Sequence, residues 1–302
     1  MKIREWLAHN PLYIRLSHGS YRLMTRISPD WTSRRRWKKT FGFLLREKNP
    51  VWWDEKLMVL KMRDYNRNPL VRRCANKHTL RDYVVEKGCG ELLIDCYGLW
   101  DRVEDVPFAQ LPDNCVLKCT MGCGLNMHVF LRAGEEPDIQ KAKATLLAAM
   151  EDDYYLDYAE MQYAPGPDMH PQIYCERLLT GENGFDPADF KVYCFHGTPR
   201  FILYCYDRNG EGHAKYMFMD TLWQPRPEYH PCNSMDDLPE KPTCLDAMLA
   251  YAGRLSEPFP FVRVDFYNEK GTPRIGEMTF TPSACLDAEL TEAGQIALGE
   301  LL

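Results

Sequence analysis

The stretch PFVRVDFYNEKGTPRIGEMTFTP, residues 260–282, predicts two β-strands joined by a tight turn. Because side chains alternate between the two faces of a strand, Arg263 and Asp265 share one face of the first strand. Glu277 and Thr279 share one face of the second strand for the same reason. Folding the hairpin about its central glycine places Asp265 roughly opposite Glu277. Like charges that face each other across a strand pair are destabilising, so the hairpin needs a compensating feature.

Three arrangements would relieve the repulsion between Asp265 and Glu277. The two acids could share a proton, pair with a cation such as Arg263, or bind a divalent metal ion. Hard oxygen ligands suit Mg²⁺, which typically takes one or two carboxylates together with substrate phosphates. The metal hypothesis therefore requires a phosphate-binding segment elsewhere in the chain, while an ion cluster centred on Arg263 requires none.

The stretch KCTMGCGLN, residues 118–126, is a candidate for that segment. Lys118 stands at the end of a predicted strand, and Gly122, Cys123 and Gly124 follow it in a loop. Glycines allow backbone N–H groups to approach phosphate oxygens, and a lysine adds positive charge. An ordinary β-turn explains the loop equally well. The loop and the acidic hairpin together favour a nucleotide–Mg²⁺ site more than either does alone.

The composition is that of a soluble protein of 302 residues, with 45% apolar and 26% charged residues. No run of about 18 apolar residues indicates a transmembrane helix, and the N-terminus shows no secretory signal pattern. The 12 cysteines include no C-x-x-C pair. We therefore expect reduced cysteines in a cytoplasmic protein.

Residues 1–50 are predicted to be largely helical and are strongly basic, with 12 Lys and Arg against 3 Asp and Glu. This segment has either a solvated basic face or a surface that contacts an anionic partner, such as the inner surface of a membrane or an anionic polymer. The whole chain has a net charge of −6, so the remaining residues are acidic and would repel a phosphate backbone. We therefore expect no nucleic-acid partner.

Helices alternate with mostly antiparallel strands, which predicts an α+β fold. Several stretches resemble the TupA-like ATP-grasp proteins of teichuronopeptide and cell-surface polysaccharide biosynthesis, and the resemblance covers roughly residues 28–302. The stretches are EKLMVLK (55–61), KHTLRDYV (77–84), DFKVYCFHG (189–197), FPFVRVDFY (259–267) and GEMTFTPS (276–283).

The resemblance implies an ATP-grasp fold, in which two α+β lobes sandwich ATP, here preceded by a basic helical N-terminal extension. The implied segments are the extension (1–50), a substrate-side lobe (51–112), a lid lobe with the glycine loop (113–180) and a C-terminal lobe with the metal site (181–302).

The resemblance also implies roles for residues that would bind ATP. The loop 120–126, with Gly122, Cys123 and Gly124, would close over the phosphates, and Lys118 would contact them. The remaining ATP-binding residues would be Glu176 at the adenine amino group, the backbone of Arg177 and Leu179 beside it, and Asp189 and Lys191 at the ribose and phosphates.

The metal and catalytic roles fall on the hairpin. Asp265 and Glu277 would bind Mg²⁺, with Thr279 at a third ligand position where many ATP-grasp enzymes have Asn. Arg263 would stabilise developing negative charge. Lys77 and Arg81 are spaced i, i+4 on a predicted helix, and are either surface charges or the recognition site for a carboxylate substrate or an anionic sugar.

The function implied is an ATP-dependent carboxylate–amine ligase that acts through an acyl phosphate. Its substrates would be an amino acid or small amine and a uronic-acid-containing cell-surface polysaccharide or precursor. An ATP-dependent sugar kinase and a non-catalytic binding module of a glycan-assembly complex are the alternatives.

Overall fold

The computed structural model describes residues 11–122, 127–167, 169–181, 187–206, 215–231 and 238–302, with side chains from residue 18 onwards. Helices pack on two antiparallel sheets, which confirms the predicted α+β class. The described α-helices are α1 (Pro11–Ile27), α2 (Pro29–Phe41), α3 (Trp53–Leu60), α4 (Pro69–Ala75), α5 (Thr79–Glu86), α6 (Ile139–Met150), α7 (Tyr154–Tyr158), α8 (Leu245–Ser256) and α9 (Glu292–Gly299).

The strands form two separate sheets. The first has the order β1-β4-β2-β3 and the second the order β7-β6-β5-β8-β9. The strands are β1 (Cys96–Trp100), β2 (Cys115–Cys119), β3 (Val129–Leu131), β4 (Ile173–Arg177), β5 (Asp189–Phe195), β6 (Thr198–Tyr206), β7 (Lys215–Asp220), β8 (Phe261–Glu269) and β9 (Thr272–Thr279). Strand β1 belongs to the predicted segment 51–112, yet it pairs with β4 in the sheet of the next segment.

The larger core lies around the second sheet. Strand β8 presents Val262, Val264 and Phe266, each 0% exposed, to this core, and helix α8 packs against β5, β6 and β8. A smaller core fills the space between the first sheet and α6. None of the cysteines in the described ranges forms a disulfide.

The N-terminal extension is helical from Pro11 onward, which confirms that part of the prediction. Ser28 separates α1 from α2, and its side chain accepts a hydrogen bond from the backbone N–H of Trp31 at 3.3 Å. This contact satisfies one of the unpaired N–H groups that begin a helix. Gly42 ends α2 with a φ of +83°, in the left-handed region that glycine adopts readily.

The β8–β9 hairpin closes through Lys270 and Gly271, whose φ values are +51° and +84°. Two such residues favour a two-residue hairpin turn. The register set by this turn pairs Glu269 with Thr272, and its continuation would place Asp265 opposite Gly276. An irregularity in the ladder after Asp265 shifts the register by one residue.

The shifted register pairs Asp265 with Glu277 and Arg263 with Thr279, as predicted from the sequence. A one-residue shift reverses which face each side chain occupies. The irregularity therefore brings Glu277 to the face that carries Asp265.

The C-terminal stretch folds as helix α9 and packs against the backbone that leads into α3. A Cβ on Gly299 would lie 2.4 Å from the carbonyl oxygen of Val51 and 3.1 Å from the backbone nitrogen of Trp53. Lys56 Nζ donates a hydrogen bond to the Gly299 carbonyl at 2.8 Å. The close approach of these two backbone segments depends on the missing side chain.

We predict that Gly299→Ala lowers the free energy of unfolding by about 1–3 kcal/mol, because the new methyl group would overpack this contact. The control is Gly19→Ala in helix α1, where an added Cβ has no atom within 4 Å. Replacing a helical glycine with alanine should raise stability by up to about 1 kcal/mol. Equal denaturation midpoints for the two variants would contradict the close packing of α9.

Candidate functional site

The centre of the site is the carboxylate of Asp265, which is 4% exposed. Arg263 donates to it through Nε at 2.7 Å and through Nη2 at 2.7 Å. Lys191, on the neighbouring strand β5, donates through Nζ at 2.8 Å. Burial raises the pKa of Asp265, and the two cations act in the opposite direction. Of the three arrangements that could relieve the repulsion in the hairpin, the pairing of Asp265 with cations is therefore present.

Glu277 lies across the strand pair and remains more open, with 43% of its side chain exposed. Its Oε1 atom accepts hydrogen bonds from the Thr279 hydroxyl at 3.2 Å and from Arg263 Nη2 at 3.4 Å. Burial opposes its ionisation, but Lys77, Lys191 and Arg263 together lower its pKa to about 2. Glu277 is thus an ionised carboxylate directly beside Asp265.

One further predicted residue, Asp189, joins this cluster. Lys191 Nζ lies 3.3 Å from Asp189 Oδ2 as well as beside Asp265. The pairing of β5 with β8 places Lys191 directly opposite Asp265 and Asp189 opposite Tyr267. Sheet register therefore assembles residues that are far apart in the sequence.

A cavity of about 80 Å³ lies between the two sheets, and we call it the inter-sheet cavity. It brings together four of the predicted ATP-binding residues, namely Lys118, Glu176, Arg177 and Leu179. Apolar and aromatic walls that the sequence analysis missed are supplied by Ile94, Val116, Phe130, Leu178 and Tyr267. Alternation on β2 could have indicated Val116, since it shares a face with Lys118. Leu178 lies between the predicted residues Arg177 and Leu179, and alternation on β8 places Tyr267 on the face of Asp265. Ile94 and Phe130 come from separate segments and had no local signal.

Within this cavity, Lys118 and Glu176 form an ion pair with each other. Glu176 Oε2 also accepts a hydrogen bond from the Tyr174 hydroxyl at 2.9 Å. Burial, reinforced by nearby Lys118 and Lys77, lowers the pKa of His128 to about 3, so this imidazole is neutral. The cavity thus combines an apolar wall with the ion-paired Lys118 and Glu176, a neutral imidazole and the guanidinium of Arg177.

The predicted glycine loop is described only as far as Gly122, and Cys123 and Gly124 lie outside the described residues. Gly122 has a φ of +95°, a conformation that favours glycine. Its carbonyl oxygen accepts a hydrogen bond from Lys77 Nζ at 2.7 Å.

The prediction that Lys77 and Arg81 lie on one face of a helix is wrong. Lys77 lies in the turn before α5, where Asn76 caps the following residues through its side chain, and only Arg81 lies in the helix. Arg81 Nη1 donates to the Ile94 carbonyl at 2.8 Å and to the Tyr174 hydroxyl at 3.0 Å. The side chains of Lys77 and Arg81 therefore contact different parts of the protein.

A second cavity, of about 200 Å³, opens farther along the acidic hairpin, and we call it the charged cleft. Its lining includes Lys77, Arg263, Glu277 and Thr279. Along one face of β8, Tyr267 lines the inter-sheet cavity and Arg263 lines the charged cleft, with Asp265 between them. Alternate residues of a strand lie about 7 Å apart, so this face connects the two cavities over a short distance.

The oxygen donors of the hairpin suit a Mg²⁺ ion whose coordination is shared between the protein and bound phosphates. Asp265 and Glu277 offer two facing carboxylates, and Thr279 offers a hydroxyl oxygen. Within the described ranges, no group of three or more His, Cys, Asp or Glu side chains forms a cage for a metal ion. Two carboxylates suit a Mg²⁺ ion whose other ligands are phosphate oxygens and water.

Comparison with known proteins gives one family match. The family described as TupA-like ATPgrasp matches residues 55–302. No curated protein sequence matches the chain.

Similar solved structures include an L-amino acid ligase from Bacillus licheniformis, with 14% identity, a TM-score of 0.46 and coverage of 84% of this chain and 54% of that chain. The ADP complex of purK, an N5-carboxyaminoimidazole ribonucleotide synthetase, has 16% identity, a TM-score of 0.43 and coverage of 70% and 45%. The D-alanine–D-alanine ligase from Bacillus anthracis has 13% identity, a TM-score of 0.39 and coverage of 76% and 66%. The chain spans about half the length of the first two. Similarities this distant carry no weight for function, whereas the family match covers most of the chain.

We predict that Asp265→Asn lowers the melting temperature of the metal-free protein. The change removes the carboxylate that lies closest to buried Arg263 and Lys191, and breaking a buried ion pair costs about 3 kcal/mol or more. From the sequence alone, either relief of a like-charge repulsion or loss of an ion cluster could follow, because the contacts of Asp265 with the two cations were not established. Asp101→Asn, at an exposed contact with His170, is the control and should leave the melting temperature unchanged. A rise for Asp265→Asn would mean that the cations do not neutralise the pair.

Proposed function

Because this chain belongs to the TupA-like ATP-grasp family, we propose that it is an ATP-dependent carboxylate–amine ligase. The observation that supports this most directly is the face of β8 that runs from the inter-sheet cavity to the charged cleft. Tyr267, Asp265 and Arg263 occupy successive positions on it. A nucleotide in the first cavity and a carboxylate in the second would meet at the acidic pair.

In the proposed reaction ATP is a substrate. Its terminal phosphoryl group passes to the carboxylate oxygen of the acceptor, which gives ADP and an acyl phosphate. An amine then attacks the acyl carbon, the bond from carbon to the phosphate oxygen breaks, and phosphate leaves. The products are an amide, ADP and phosphate.

The residues of the chain have distinct roles in this reaction. The apolar walls of the inter-sheet cavity would hold the adenine, and Lys118 and Lys191 would approach the phosphates, with Asp189 at the ribose. Mg²⁺ held by Asp265 and Glu277, with Thr279 as a further ligand, would neutralise phosphate charge during transfer.

Arg263 has a separate role in the charged cleft. Its guanidinium is fixed by two hydrogen bonds to Asp265, so the group is held in place before any substrate binds. Fixed donors aimed at developing negative charge stabilise a transition state without reorganisation. Arg263 would thus stabilise the oxyanion that forms when the amine attacks.

The basic side chains of Lys77 and Arg263, which line part of the cleft, support a carboxylate-bearing sugar or glycan as one substrate. We propose an amino acid or small amine as the other, joined to a uronic-acid-containing surface polysaccharide or its precursor. Only the resemblance to proteins of cell-surface polysaccharide biosynthesis suggests the polysaccharide. A sugar kinase would use the same nucleotide site but would leave the phosphate on its product.

We predict ADP release when the protein is incubated with ATP, Mg²⁺, uronic acids and amino acids, with equal amounts of free phosphate and an amide product by mass spectrometry. Glu277→Gln should reduce this turnover about 10²-fold or more, because a charge essential to phosphoryl transfer is lost. The matched control Glu135→Gln, at an exposed site, should retain it. A phosphorylated sugar without free phosphate would establish the kinase instead, and no ADP release with any acid would refute the ligase.

We also propose that the basic extension associates with the anionic inner surface of a membrane. Helix α2 exposes Arg35, Lys38 and Lys39. Trp31, near the start of the same helix, is 61% exposed, and Ile27, at the end of α1, is 71% exposed. Exposed cations beside aromatic and aliphatic side chains suit an interface with anionic lipid. No helix in the described part of the chain is long and apolar enough to cross a bilayer.

We predict that reversing Arg35, Lys38 and Lys39 to glutamate weakens binding to phosphatidylglycerol vesicles, at about 1 kcal/mol per cation. Arg34 and Arg36 are left unchanged, because Arg34 pairs with Glu47 and Arg36 donates to the Asp157 carbonyl.

The control for the vesicle assay changes the net charge equally but elsewhere, at exposed Arg102, Lys141 and Lys241. If both triple variants lose vesicle binding equally, the effect reflects overall charge and the extension has no special role.

A further inference from the structure

The charged cleft has acidic residues as well as basic ones. Besides Lys77 and Arg263, its lining includes Asp152, Asp153 and Glu160. The proposed function assigns the basic residues to the carboxylate substrate and the oxyanion but gives these three acids no role. An amine substrate carries a positive charge at neutral pH, so the acidic residues offer complementary charge in the same cavity.

Glu160 is the most enclosed of these acids, at 4% exposure. Its Oε1 atom accepts a hydrogen bond from the Thr281 hydroxyl at 2.5 Å, and that hydroxyl accepts one from Gln162 Nε2 at 2.8 Å. In the part of the chain that the structure describes, Oε2 has no hydrogen-bond partner. The carboxylate is therefore held in a fixed orientation in the cleft wall with one oxygen left for a ligand.

The surroundings of Glu160 favour binding of a proton or a cation. Burial raises its pKa, and Lys61 only partly offsets that effect. Lys61 Nζ donates to the carbonyls of Tyr158 at 3.0 Å and Ala284 at 3.4 Å, and forms no ion pair with Glu160. A carboxylate with a raised pKa is suited to accept a proton near neutral pH.

The other two acids are held in place by the basic extension. Arg26 Nη2 lies 3.3 Å from Asp153 Oδ2, and Arg22 Nη2 lies 4.0 Å from Asp152 Oδ1. Their negative charges are thus partly balanced from outside the cleft. Glu160 is the acid that an ammonium group entering the cleft would neutralise most effectively.

We propose that Glu160 binds the ammonium group of the amine substrate and removes one of its protons. This inference rests on the proposed ligase function and assigns the amine-binding part of the same site. The protonated amine gives one proton to the Glu160 carboxylate and becomes a neutral nucleophile. Its nitrogen forms the bond to the acyl carbon, the departing phosphate takes the second proton, and Glu160 returns its proton to solvent.

Two nucleophiles of similar size but different charge test the proposal. Ammonium is charged at neutral pH, whereas hydroxylamine is mostly uncharged, and both attack an acyl phosphate. With ATP, Mg²⁺ and glucuronate as the acid, the wild-type protein should form the amide from ammonium and the hydroxamate from hydroxylamine. Both products are measured by mass spectrometry alongside ADP release.

We predict that Glu160→Gln lowers kcat/KM for ammonium by about 10²-fold or more, since both charge and proton acceptor are lost. The hydroxamate rate should change little, because the glutamine oxygen still accepts from Thr281 and acyl phosphate formation is unaffected. Glu160→Asp should restore part of the ammonium rate. Asp54→Asn is the matched control, because Asp54 is also fully buried, at 0% exposure, but does not line the cleft.

Each outcome bears on a separate claim. No hydroxamate and no ADP release by the wild-type protein with any acid would refute the ligase. Hydroxamate without any amide from ammonium would refute amine recognition alone. An equal loss of both products in Glu160→Gln, with Asp54→Asn behaving alike, would show a structural role, and no loss of either would show that Glu160 has none.

Discussion

The arrangement of the site depends on the Asp265 carboxylate and the two cations that hold it. Arg263 reaches it from two residues away on the same strand, and Lys191 reaches it from the next strand. A buried carboxylate without such partners would be strongly destabilising. The two cations therefore allow the strands that carry these residues to pair. Because the cations neutralise Asp265, the facing carboxylate of Glu277 is tolerated and remains ionised.

That cluster also fixes the relation between two cavities that belong to different parts of the fold. The inter-sheet cavity has walls from both sheets, and an ion pair between Arg177 of β4 and Glu269 of β8, at 3.0 Å for Nη2 and Oε2, joins the sheets beside it. The charged cleft lies toward the other end of β8. A single strand therefore sets the distance between the two cavities, in which we propose that the nucleotide and the acceptor bind.

The cations of the basic extension form contacts within the protein as well as the surface that we propose for an external partner. The basic extension, which from the sequence suggests only an external anionic partner, uses several cations internally. Arg22 pairs with Asp157 at 3.0 Å, and Arg36 lies over the ring of Tyr21 at 3.7 Å from its centroid. The extension therefore supports one wall of the charged cleft, while Arg35, Lys38 and Lys39 of α2 remain exposed.

The sequence by itself determined the hairpin and its four polar residues, because strand alternation is local and the turn residues Lys270 and Gly271 fix where the chain reverses. It also predicted the helices of the extension and the α+β class. Only the tertiary structure decided the rest. The register shift that turns Glu277 toward Asp265 arises in the strand ladder. Lys77 and Arg81 diverge because a helix begins between them. Glu160 joins the site because the end of β9 places Thr281 beside it. Glu160 and Thr281 are more than a hundred residues apart in the chain, and no local pattern of residues encodes such a contact.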